Sequence, residues 1–155
     1  LYSEKIWKEN LSYVDCIWLI TLGIMLGISG DELIMLKSIV KKYNKDDKLI
    51  EFFMSYLGEE KGDSSTYFMP MPYKLWDEYI ECKKKDITPI KRYLKDTWYN
   101  AHNTMAWYDT HNDSSNTYCG YWSFETGAIV KVLGLDDSEL KDLPYYPYDL
   151  VHYMQ

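Results

Sequence analysis

A chain of 155 residues that is 46% apolar is long enough for one domain with a proper core, and two domains would be unusual at this length. Its net charge of −7 is unevenly placed: residues 1–95 hold 15 acids and 15 bases, whereas residues 96–155 hold 9 acids against Lys131 and Lys141. That excess argues against direct nucleic-acid binding, which needs a basic patch. It suits a basic protein partner or a surface that only keeps the chain soluble.

Residues 1–10 read as a tail or the remnant of a preceding helical domain, and residues 11–155 as the main domain. A first helix is expected over Leu11–Ile28. Its stretch Cys16–Ile28 is apolar almost all round but falls short of the roughly 20 residues a membrane span needs, so it reads as a central core helix with no membrane role. A second helix from Ser29 carries Leu33, Leu36, Val40 and Tyr43 on one stripe, and a third runs from Asp46 or Asp47 to Leu57. Gly58–Pro72 reads as a loop closed by Pro70 and Pro72. A short helix near Tyr73–Cys82 ends in the solvated run Lys83-Lys84-Lys85.

Thr88 as N-cap with Pro89 after it opens the next helix, striped by Ile90, Tyr93, Leu94, Trp98, Ala101, Met105 and Tyr108. Asn112–Asn116 breaks it. A helix over Cys119–Leu133 follows, then a short one from Asp136, a turn between Pro144 and Pro147, and a last helical turn from Tyr148. Leu26–Leu33 and Leu133–Leu140 echo each other, each with a glycine stop and a capping box, Ser29 with Glu32 and Asp136 with Glu139. The pattern predicts an all-α, single-domain antiparallel bundle of about six to eight helices with short loops and no sheet of consequence.

Chemistry-bearing motifs are scarce. Cys16, Cys82 and Cys119 lack the spacing of a disulfide framework or a zinc site and read as small buried hydrophobes in a reducing, cytoplasmic setting. His102, His111 and His152 form no paired ligand motif, and no phosphate loop or nucleophile elbow is visible. No catalytic residue, metal ligand or cofactor is therefore assigned.

Glu125 stands out, since its neighbours Trp122, Phe124, Ala128 and Ile129 are core-like. A buried carboxylate needs donors, and the expected polar network joins it to His111, Trp98, Tyr99 and Trp122. A metal-dependent helical hydrolase built on Glu125, His111 and Asp149 is the competing chemical reading. Of the acids around Asp136, Asp137 is expected to face outward toward a partner. The strap Tyr145-Tyr146-Pro147-Tyr148-Asp149 is expected either to pack on the core or to supply interface anchors.

Three segments in order, Gly120-Tyr121-Trp122-Ser123-Phe124-Glu125, Leu133–Leu140 and Tyr146-Pro147-Tyr148-Asp149-Leu150-Val151, resemble the C-terminal domain of the PoNi family of bacterial immunity proteins. Tyr13–Leu57 and Trp98-Tyr99 also fit. The resemblance implies a non-enzymatic protein that binds and neutralises a cognate, basic nuclease toxin used between competing bacteria. The expected mechanism is an acidic surface occluding the toxin's active-site cleft, through Asp137, Glu139, Asp142 and Asp149 with Tyr145 and Tyr146. Family members carry an N-terminal helical domain before this region, to which at most the first ten residues here correspond. A non-catalytic adaptor remains the third reading, and a homodimer is open.

Overall fold

In a computed structural model, residues 12–43 and 46–153 are described, and among them the chain is all-helical without strands. The tail expected over residues 1–10 lies outside the described residues. Helix α1 (Tyr13–Leu26) begins at a reciprocal cap, with the Ser12 hydroxyl accepting from the Asp15 N–H and the Asp15 carboxylate accepting from the Ser12 N–H. This box satisfies two of the free donors of the first turn. The helix is buried on several sides, with Cys16, Ile17, Ile20 and Met25 fully enclosed. It stops at Gly27, whose φ of 63° supplies the left-handed cap. Among the described residues no helix is long and apolar enough to cross a membrane.

Helix α2 (Gly30–Tyr43) packs on α1 through a narrow stripe centred on Leu36 and Val40. Helix α3 (Lys48–Tyr56) is capped by Asp47, which is wholly buried and accepts from Tyr13 Oη–H at 2.9 Å, Ile50 N–H at 2.9 Å and Phe68 N–H at 2.7 Å. One carboxylate thereby joins α1, the start of α3 and the loop before the next helix. Three donors offset the cost of removing it from water.

The short helix expected over Tyr73–Cys82 is broken. It comprises α4 (Pro70–Tyr73), a 3₁₀ turn (Lys74–Trp76) and α5 (Asp77–Ile80), which bury Tyr73, Trp76 and Tyr79. The next helix also departs from expectation. α6 (Thr88–Arg92) has Ile87 at the cap position and Thr88 inside the first turn, because Asp86 already accepts from the Thr88 N–H at 2.9 Å. The helix then widens into a π-helical segment (Tyr93–Thr97) before α7 (Trp98–Ala101), and beyond it turns lead to a 3₁₀ turn (Thr110–Asn112).

The helix expected from Cys119 starts instead at Phe124, as α8 (Phe124–Leu133). Gly120 has φ 98°, and the Ser123 N–H is taken by the Tyr145 carbonyl at 2.8 Å, so the segment before Phe124 docks against the strap rather than coiling. α8 packs against α1, and the two lie close at Gly127. A Cβ there would come within 2.8 Å of Met25 Sδ and 2.8 Å of Pro147 Cγ.

Past the left-handed cap at Gly134, the short helix expected from Asp136 does not form. Asp136 accepts from the Ser138 N–H at 3.0 Å, which closes an Asx turn and leads into further turns. The last helix is α9 (Tyr148–Val151). Lys131 ties that end down, donating to the carbonyls of Val151 at 2.8 Å and Met25 at 3.1 Å, so a cation sits at the negative ends of α9 and α1.

Candidate partner-docking groove

The turns after α8 and the start of α9 wall a surface groove of about 620 Å³. Trp122, Phe124, Tyr146, Tyr148 and Leu150 provide apolar surface, and Asp142, Asp149 and Lys141 provide charge. Trp122 is 43% exposed. Its indole lies over Gly120, where any side chain would strike it. The Lys141 ammonium stands 5.3 Å from the centroid of the Tyr148 ring.

Beneath the groove lies Asp137. The expectation that it faces outward is corrected: it is only 6% exposed and accepts from Tyr146 Oη–H at 2.6 Å, with His152 Nε2 at 3.1 Å. The cause is local. The Asx turn at Asp136 replaces the helix that would have carried Asp137 to the surface, and the inward carboxylate finds a phenol and an imidazole. Burial, with the adjacent carboxylate, holds the Tyr146 phenol well above its ordinary range, so it stays a donor. Tyr146 is itself buried, although it lines the groove.

Glu125 is fully buried, and its Oε1 accepts from Ser123 Oγ–H at 2.7 Å, Trp98 Nε1–H at 2.8 Å and Tyr93 Oη–H at 3.0 Å. Its Oε2 has no hydrogen-bond partner among the described residues. The π-helical widening explains how Tyr93 and Trp98 reach one oxygen. Five residues apart on a regular α-helix, they would differ in direction by about 140°, whereas an i→i+5 turn brings them round. Burial first, then the Glu125 charge, pushes the Tyr93 phenol far above its usual value.

Of the network expected around Glu125, the structure brings Trp98 to it and places the rest elsewhere. His111 is exposed and meets the Tyr121 hydroxyl at 2.7 Å, Tyr99 accepts from the Asp109 N–H at 3.2 Å, and Trp122 faces the groove. Ser123, Tyr93 and a buried His102 were not anticipated. The His102 Nδ1 lies 2.6 Å from the Trp98 carbonyl, which can only accept, so in the neutral ring Nε2 accepts from Tyr73 Oη–H at 2.9 Å.

The family model for PoNe immunity proteins (PoNi), C-terminal, matches residues 45–150, more than half of the chain. The chain belongs to the PoNi family. No curated protein and no solved structure matches it. The PoNi match covers α3 through the groove, while α1, which precedes it, completes the core against α8.

Of the acids and tyrosines expected to meet a partner in this PoNi chain, Asp142, Asp149 and Tyr146 line the groove. Glu139 is exposed and ion-paired with Lys91 at 2.6 Å. Tyr145, half-buried, lies against Trp98 and stacks on Tyr99. Trp122, Lys141 and Tyr148 are among the groove residues absent from the partner-binding set expected from the sequence. The only signal for Tyr148 was its place in the aromatic strap.

Among the described residues no group of three His, Cys, Asp or Glu side chains could hold a metal ion, so His111, Glu125 and Asp149 are not gathered. Cys16 is buried as expected, and burial pushes its thiol up to about 12, but Cys82 and Cys119 are exposed rather than enclosed.

Proposed function

We propose that this PoNi protein binds a cognate nuclease toxin through the Asp142–Asp149 groove and neutralises it by covering the toxin's basic active-site cleft. The observation that carries the reading is the composition of the groove in a member of this family: two carboxylates beside an open tryptophan. Aromatic anchors of this kind dominate interface energetics, while carboxylates steer a basic partner and fix its register. A stable complex buries about 800 Å² on each side, so the groove forms the centre of a larger contact. The acidic last sixty residues, with Glu139 at the periphery, supply the surrounding field. The role is non-catalytic.

The test is co-expression with a nuclease toxin encoded beside this gene, scored by growth rescue and by the affinity of the purified complex for an inactive toxin variant. The double variant D142N/D149N should fold normally, weaken the complex by about 10- to 100-fold and flatten its salt dependence. A complex unaltered by the double variant sinks the groove reading.

A further inference from the structure

Among the described lining residues of the groove Lys141 alone is basic, and its ammonium already rests on an aromatic face, 5.3 Å from the Tyr148 centroid. That distance lies inside the roughly 6 Å over which a ring quadrupole holds a cation. Asp142 and Asp149 line the same groove, and among the described residues neither has an ion-pair partner. Trp122 adds a second, open aromatic face.

We infer that the groove is a receptor for a guanidinium group: it takes an arginine side chain of a basic partner, and Lys141 is an intramolecular stand-in that this arginine displaces from Tyr148. The inference deepens the docking reading above and rests on it for the identity of the partner. An ammonium is a compact, strongly hydrated point charge, and that of Lys141 meets the Tyr148 ring without an ion-pair partner among the described residues. A planar guanidinium is weakly hydrated, stacks on an aromatic face and presents paired donors to a carboxylate at its edge. The groove offers both kinds of surface together. Lys141 satisfies only the ring, which leaves the carboxylates to the incoming group. It also sets a threshold, because a partner cation weaker than the resident lysine gains nothing by entering.

The experiment titrates ¹⁵N-labelled protein with the peptide acetyl-Gly-Arg-Gly-amide and its lysine counterpart, following the Trp122 indole N–H resonance. The arginine peptide should shift that resonance and bind more tightly than the lysine peptide. K141A should tighten arginine binding by about two- to fivefold, the strength of one exposed cation–ring contact. Y148F, which keeps the ring face, should bind as wild type does, whereas D142N/D149N should lose the preference for arginine. Equal binding of the two peptides, or K141A weakening the arginine peptide, overturns the inference.

Parallel binding of the inactive toxin separates the two readings. A toxin complex weakened by D142N/D149N, with no arginine preference in the peptides, removes the guanidinium receptor and leaves the docking site. Arginine-selective binding, with a toxin complex indifferent to D142N/D149N, K141A and Trp122→Ala, keeps the receptor and removes the docking site.

Discussion

The two halves of the molecule treat their carboxylates differently. From α2 to the lysine run after α5, four acids are matched with lysines: Glu59 with Lys37 and Lys41, Asp77 and Glu81 with Lys48, and Glu78 with Lys84. From α8 onward the buried acids are held by neutral or aromatic donors, Glu125 by Tyr93, Trp98 and Ser123, and Asp137 by Tyr146 and His152. The groove acids Asp142 and Asp149 have no ion-pair partner among the described residues. Asp47, held by Tyr13 and two backbone N–H groups, is a buried acid of the first half that takes neutral donors instead. The lysine pairs thus gather in the first half, with Lys91 reaching across to Glu139 of the second, and the groove acids leave negative charge available to something outside. The difference also teaches that net charge along a sequence overstates surface charge, since two of the nine acids after residue 95 are turned inward.

The comparison breaks most severely at Glu125. Replacing it with alanine strands three buried donors, and the free energy of unfolding should fall by about 3 kcal/mol or more. Denaturant melts measure this, and E125Q should recover part of the loss because its amide oxygen still accepts. A loss below about 1 kcal/mol for the alanine variant would mean the donors find other partners. A smaller effect is expected at Asp137. D137N keeps an acceptor for Tyr146 but removes the charge facing His152, and should cost about 1–2 kcal/mol. If the groove depends on its floor, toxin affinity should drop along with stability. An unchanged affinity in a destabilised D137N protein would detach the floor from the binding surface.

The smallest effect belongs to the first half. The hydrogen bonds from Lys41 and then Lys37 hold Glu59 below its ordinary value of 4.5. The folded carboxyl therefore binds its proton less readily than the unfolded one. Its contribution is complete above pH 4.5 and fades as pH falls through the lower folded value. E59Q should lose less than about 1 kcal/mol at neutral pH, as partly exposed ion pairs do. The gap between E59Q and wild type in pH-dependent thermal melts should close on acidification, and a gap that widens would contradict the pairing.

Helical class and the core role of the apolar stretch in α1 were legible because periodicity and length report burial directly. So was the stop at Gly134, where a left-handed residue leaves a compositional mark. The break from α6 to α7 was not, since Ile90, Tyr93, Leu94, Trp98 and Ala101 give the same recurrence whether the backbone is regular or widened. At Asp136 the sequence supports an Asx turn and a helix cap equally, and the choice fixed where Asp137 points. At the groove, Asp142 and Asp149 were named from charge and position, and the structure sets them beside one another's lining. Trp122 was placed in the core network because a tryptophan beside buried residues carries no mark of which way it turns. Glu125 drew notice as a lone acid among core residues, but Tyr93, 32 residues away, could not be assigned to it from local pattern.

The four-residue helix α9 carries one wall of the groove and is too short to persist by its own backbone bonds. It is retained by the contact across Gly127 and by the Lys131 tether to Val151. Opening of this last turn is thus a local event, separable from global unfolding, and it erases the groove while the core stays folded. Any ligand that needs the groove must draw on the closed population, and in binding it slows amide exchange in residues 148–151 before it alters exchange in α1.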